Sequence, residues 1–340
     1  MTSKNNIFIA LILLVAASSC TKLLPRDKDS FSSDSRFTQD VYSPTLGQVT
    51  VFNTFNAGNS TQPLTFKIVN PRTRDGAAAQ ELLDVFPVKV WKHPYTGEEK
   101  SLKEIEDKRV IENHRIFEIR EHSGQFIMWP MGNSNFIRTR PDSGYIFDVE
   151  VSNSGGRKYF RDMKLMPYRE RRFEPNPADP VTGQGTTIGG FPSSMTNVYQ
   201  HRSGGGISFP MSPYDVSIFF YRVGDGNSLT FKFLDTLQNP INPDMFRLTD
   251  WQHFVHGFNM QKTATEVKYE VGYPIPLTAL PTPYTNANGQ RAVAKLKWDR
   301  VAFGGLTLVA QIDLGFAIFE QGDWEIYVWF RNANPKFIND

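Results

Sequence analysis

The stretch DWEIYVWFR, residues 323–331, sets the fold class because it alternates. Trp324, Ile326, Val328 and Phe330 share one face and read as core. Glu325, Tyr327, Trp329 and Arg331 share the other with Asp323. A period of two is the signature of a half-buried β-strand.

The same period runs through most of the chain. Val267, Tyr269 and Val271 alternate with Glu266, Lys268 and Glu270, and Leu229, Phe231 and Phe233 with Thr230 and Lys232. Tyr145, Phe147, Val149 and Val151 alternate with Asp148, Glu150 and Ser152. Turn-rich segments such as NSGGR, VGDGNS, NANGQ and EQGD separate several of these runs. Many short strands joined by Gly, Asn and Asp turns predict an all-β chain of two antiparallel β-sandwiches, immunoglobulin-like or jelly-roll-like. Helix is scarce. SLKEIEDKR carries a capping box, Ser101 with Glu104, and AAAQELLDVF (77–86) reads as a second short helix. One composition shift divides the chain: the segment from Pro175 to Ser208 is rich in Pro, Gly and Ser and has no period. It predicts a first sandwich over 42–174, a linker or loop over 175–204, and a second sandwich over 205–340.

The amino terminus carries an address. Lys4, the apolar run IFIALILLV (7–15) and the small residues Ala16 to Ser19 read as a secretory signal over residues 1–19. The apolar run is far short of the roughly 20 residues a bilayer span needs. The chain's one cysteine, Cys20, follows directly, and the segment resembles a bacterial lipobox, with Ala17 where leucine is commonest. A disulfide needs a second cysteine, so lipidation of Cys20 is the expectation. Residues 20–41 are polar and charged and read as a flexible tether.

Removing residues 1–19 takes away one lysine and no acid, so 37 basic residues become 36 against 35 acidic ones. That balance offers no footprint for nucleic acid.

At NTFNAGNSTQPLTFKIVNPR, PVKVWKHPYTGEEKSLKEIEDKR and SGQFIMWP the chain resembles an uncharacterised family of Bacteroidetes outer-membrane lipoproteins with an immunoglobulin-like first domain. In setting, that family is similar to the accessory lipoproteins of glycan-uptake systems of the starch-utilisation type. The resemblance implies a lipid-anchored protein of the cell outer membrane, near a transporter complex that captures polymers. It carries no catalytic residues to this chain.

Catalytic motifs are sparse. His253 and His256 stand at i, i+3 but have Phe254 and Val255 where a metal site would place a base, and no third ligand is apparent. GQGTTIGG (183–190) lacks the Lys-Ser/Thr of a phosphate loop. Asp225 and the run from Asp235 to Asp244 offer oxygens without a calcium-loop pattern, and tight turns account for them. No catalytic set, metal site or cofactor is expected, with calcium left open.

The aromatic residues are more informative. Tyr327 and Trp329 lie on the polar face with Glu325 and Arg331, and Trp91 alternates onto the face of Lys89 and His93. Flat rings beside hydrogen-bonding side chains suit a sugar, whose C–H face stacks while its hydroxyls find partners. The reading is a non-enzymatic, membrane-anchored surface lipoprotein that binds polysaccharide or an outer-membrane partner through Trp329, Tyr327, Glu325, Arg331 and Trp91. An extracellular glycan or peptide hydrolase and a structural envelope lipoprotein are the alternatives.

The anchor is directly testable. Cys20→Ser is expected to abolish metabolic palmitate labelling and to release the protein from membranes. Membrane retention with no label in the wild type would remove the anchor.

Overall fold

A computed structural model describes residues 29–185, 189–202 and 208–337. The signal segment, Cys20 and residues 20–28 of the tether lie outside the described residues.

The amino-terminal half contains β1 (Arg36–Phe37), β2 (Val41–Tyr42), β3 (Thr50–Phe52), β4 (Phe55–Asn56), β5 (Thr65–Thr73), β6 (Val85–Trp91), β7 (Arg109–Arg115), β8 (Phe117–Ile119), β9 (Phe126–Met128), β10 (Tyr145–Asn153) and β11 (Gly156–Leu165). A four-stranded sheet in the order β2-β11-β10-β5 faces a three-stranded sheet, β3-β9-β8. Aromatic side chains cross the gap: the Tyr42 and Phe126 rings lie 4.5 Å apart, and Phe117 and Phe147 5.4 Å. The run from Phe117 to Met128 forms two strands, β8 and β9, turned back at Gly124, whose φ of +68° suits glycine.

The carboxy-terminal half contains β12 (Phe173–Glu174), β13 (Ser194–Thr196), β14 (Ser217–Gly224), β15 (Ser228–Leu234), β16 (Gly257–Lys262), β17 (Glu266–Val271), β18 (Ala292–Val301), β19 (Thr307–Ile318) and β20 (Asp323–Trp329). Five strands run β14-β20-β15-β17-β16, and β19 is paired with β12, β13 and β18. The core lies between these two layers: Phe220, Phe231, Trp324, Ile326 and Val328 meet Trp298, Ile312, Leu314 and Phe316. The fold is therefore an all-β sandwich fold. Two pairings depart from the antiparallel expectation: β15 runs parallel to β20, and β2 parallel to β11.

Four further expectations change. Residues 29–41, expected as tether, are part of the first sandwich. Ser35 is buried, Phe31 and Phe37 pack on its core, and Lys158 Nζ donates to Ser35 O at 2.7 Å. Residues 77–86 form one 3-10 turn, Gln80–Leu82, and then enter β6, because the β-branched and aromatic pattern from Val85 pairs with β7. The described part of the expected linker 175–204 is docked on the second sandwich. Gly190 and Ile218 exchange backbone hydrogen bonds, and β13 pairs with β19. Phe173, placed in the first sandwich by sequence, stacks on Phe220 at 4.7 Å in the second.

Only the serine half of the expected capping box forms, and Glu104 reaches one residue further back, to Lys100. Ser101 Oγ accepts from the Glu104 N–H, and Glu104 Oε2 from the Lys100 N–H, starting α1 (Leu102–Asp107). This helix sits at the end of the β6–β7 hairpin, which reaches across to the second sandwich. Ile105 and Tyr95 pack with Leu277, with Trp91 and Phe258 alongside. Arg109 Nη1 donates to Tyr273 O at 2.6 Å. The Tyr95 hydroxyl meets His256 Nδ1 at 2.5 Å, His256 Nε2 lies 2.9 Å from Glu99 O, and the His256 ring stacks on Tyr284 at 4.9 Å. Buried Glu99 would ordinarily resist ionisation. Hydrogen bonds from Lys108 and the Thr96 N–H outweigh that burial and hold its carboxyl at about 2.

Burial pushes the His256 imidazole below its usual 6.5. As pH falls through the unfolded value, the unfolded chain takes up a proton that the folded chain resists. Stability is therefore expected to drop between about pH 7 and 5.5, above the range where carboxylates titrate. His256→Gln is expected to flatten that interval, read as urea midpoints at the two pH values. An unchanged slope would mean that His256 is not the group responsible.

Candidate functional site

β20 lies inside the five-stranded sheet, between β14 and β15, so its pleat decides what each face carries. Trp324, Ile326 and Val328 are buried, while Glu325, Tyr327 and Trp329 are half-buried on the outer face. Register adds neighbours that the linear sequence keeps apart. Across β14, Phe219 pairs with Tyr327 and Tyr221 with Glu325. Across β15, Lys232 pairs with Tyr327 and Thr230 with Glu325.

The result is an aromatic patch with a charged centre. Tyr221, half exposed at 52%, stands edge-on to Tyr327 with ring centroids 5.5 Å apart. Phe219 lies 6.5 Å from Tyr221 and 6.4 Å from Trp329. Lys232 Nζ sits 5.3 Å from the Tyr327 ring centre and 2.7 Å from Glu325 Oε1, and the Tyr327 hydroxyl donates to Glu325 Oε2 at 2.7 Å. Burial opposes ionisation of Glu325, yet the Lys232 and Tyr327 hydrogen bonds outweigh it and hold the carboxyl below its ordinary value. Burial raises the Tyr327 phenol, with Glu325 adding to the shift, so it remains a neutral donor.

Trp329 differs from the expected stacking ring. Its Nε1 is shielded from solvent and has no hydrogen-bond partner among the described residues, as does Ser217 Oγ on the registered neighbour. Gly189 packs against the Phe219 ring, where a Cβ would come within 2.9 Å of Cε1. Phe219 and Trp329 therefore form the walled end of the patch, and Tyr221 and Tyr327 its open end.

The other predicted site residues lie elsewhere. Arg331 follows the end of β20 and donates to Tyr214 O at 3.4 Å. Trp91 belongs to the hairpin arm, with the Arg109 guanidinium 5.1 Å over its ring and Tyr95 at 5.6 Å. Its neighbour Phe258 is on β16, three strands from β20, so Trp91 does not join the patch. His253 and His256 part company: the first pairs with Asp250 at 2.9 Å, while the second turns into the junction between the sandwiches. Asp225 pairs with Arg222, and Asp235 accepts from the Leu237 and Asn239 N–H groups as a turn residue. Asp323 accepts from Gly226 N–H, Ser228 N–H and Ser228 Oγ, fixing the β14–β15 turn beside the patch.

Sequence reasoning missed Phe219, Tyr221 and Lys232. The available signal was the alternation of 229–233, which put Lys232 on a polar face but did not say which strands adjoin.

A family model described as Domain of unknown function (DUF5007) matches residues 55–339. No curated protein and no solved structure matches the chain.

The two faces of β20 predict unequal costs. Trp324→Ala opens a cavity in the core and is expected to cost about 3–5 kcal/mol in urea unfolding. Tyr327→Ala, on the outer face, is expected to cost about 1 kcal/mol. Equal losses would mean that the outer face is covered as a second core.

Proposed function

We propose that the chain, which belongs to the DUF5007 family, is a lipid-anchored, non-enzymatic surface protein that binds polysaccharide on the outer face of its five-stranded sheet. The observation that carries this reading is the cluster of Tyr221 and Tyr327 around the Lys232–Glu325 pair. An exposed ring offers a flat apolar surface for a pyranose C–H face, and the adjacent carboxylate and ammonium offer an acceptor and a donor for its hydroxyls. The geometry needs no proton transfer or nucleophile, which suits capture rather than cleavage. The lipobox-like segment ending at Cys20 and the resemblance to accessory lipoproteins of glycan uptake support an outer-membrane setting beside a transporter complex.

In this reading the stacking role goes to Tyr221, with Tyr327 beside it, rather than to Trp329 and Trp91. In affinity gels cast with a panel of neutral polysaccharides, the wild type is expected to be retarded by at least one. Tyr221→Ala and Tyr327→Ala should each lose most of that retardation while melting within a few degrees of the wild type. Wild-type mobility unchanged in every gel would overturn the reading.

A further inference from the structure

A cleft of about 340 Å3 opens in the amino-terminal sandwich, between β5 on one side and the β7–β8 run on the other. β5 and β8 are end strands of the two facing sheets, and they are not paired with each other. Just past the end of β8, the Phe66 N–H donates to Glu121 O at 2.8 Å and joins β5 to the following turn. Past that bond, toward Pro71 and Asn113, the slot reaches the sandwich core. Its lining includes Phe66, Phe117 and Phe147, each less than 5% exposed, with Ile68, Leu82 and Ile119 beside them.

The polar lining is asymmetric in charge. Glu118, the one carboxylate that lines the cleft, is already engaged: Trp129 Nε1 donates to it at 2.9 Å, and His114 Nδ1 lies 2.9 Å away. His114 is itself held, with its ring 4.5 Å from Trp129 and its Nε2 3.4 Å from Glu112. Lys67 and Arg115 also line the cleft, are exposed, and make no ion pair or side-chain hydrogen bond among the described residues. An apolar floor beneath two uncommitted cations complements a molecule with an apolar body and an anionic head.

We propose that this cleft is a binding site for a small amphipathic anion, a single ring or short acyl chain ending in a carboxylate, with its body against Phe66, Phe117 and Phe147 and its head toward Lys67 and Arg115. The volume falls at the lower end of the roughly 300–1,000 Å3 typical of small-molecule sites. An inserted peptide strand fits less well. It would need about 4.7–4.9 Å on each side, and the Phe66–Glu121 bond already closes one end of the slot. The site lies in the opposite sandwich from the aromatic patch, so its test is independent of polysaccharide binding.

The test is calorimetric titration of the full chain with 4-phenylbutyrate and, separately, with the uncharged 4-phenylbutanol. Saturable one-to-one binding of the carboxylate is expected, at least tenfold tighter than the alcohol. The double variant Lys67→Glu, Arg115→Glu changes only exposed side chains and is expected to keep the wild-type melting temperature. It should lose at least tenfold in phenylbutyrate affinity while its weak affinity for the alcohol stays the same. Ile119→Trp, which fills the slot, is expected to abolish binding of both. Absence of saturable phenylbutyrate binding, equal affinity for acid and alcohol, or an unchanged affinity in the charge-reversed variant would each overturn the assignment.

Discussion

The register of β20 between β14 and β15 is the constraint on which the carboxy-terminal sandwich depends. Because side chains alternate with a period of two, a slip of one residue would bring Trp324, Ile326 and Val328 to the surface and carry Glu325 and Tyr327 inward. Asp323 opposes that slip. Its carboxylate accepts from two backbone N–H groups and one hydroxyl of the β14–β15 turn, so the start of β20 is pinned to a fixed point. With the register fixed, the core face packs on β18 and β19, and the outer face gathers Tyr221, Tyr327, Lys232 and Glu325. The aromatic patch is thus a consequence of core packing on the other side of the same sheet.

This division explains what could be read from sequence. The alternation in 323–331, 266–271 and 229–233 reported which face each residue occupies, because burial is a local, periodic property. It could not report neighbours. Lys232 and Tyr327 are 95 residues apart and meet through a parallel pairing, which has no turn signal to announce it. The docked stretch after Pro175 reads as a linker because it has no hydrophobic period. Its attachment is made instead by backbone bonds such as Gly190 with Ile218, to which composition is blind. Residues 29–41 misled for a related reason. Their serines and aspartates look solvated, but two aromatics, Phe31 and Phe37, are enough to seat the segment on the core.

The junction between the sandwiches shows how a polar sequence can serve as packing. The run from His93 to Lys108 is mostly polar, yet its carboxylate Glu99 is buried and supplied with donors from Thr96, Gly97 and Lys108. A buried charge is tolerated when its hydrogen bonds are complete. With Glu99 satisfied, its backbone carbonyl is held 2.9 Å from His256, and the arm is fixed against the second sandwich by contacts that are individually short and mostly polar.

Hydrogen-bond capacity limits what the aromatic face can do. A carboxylate has about four lone-pair sites and an ammonium three donors. Glu325 uses two of its sites on Lys232 and Tyr327, while Lys232 spends its donors on Glu325 and, weakly, on Tyr327, with Glu266 a second carboxylate 3.6 Å away. Under the proposed function, a sugar hydroxyl would find spare acceptor sites on Glu325 and only a weakly held donor on Lys232, enough for one or two additional bonds without breaking the pair. On that reading most of the attraction would come from stacking on Tyr221 and the rim of Tyr327, and a single sugar residue would be held weakly. A polymer presenting the same ring repeatedly to many anchored copies would be held far more firmly, because each further contact is intramolecular. The proposed site would then suit retention of a chain at a surface better than selection of a monosaccharide from solution.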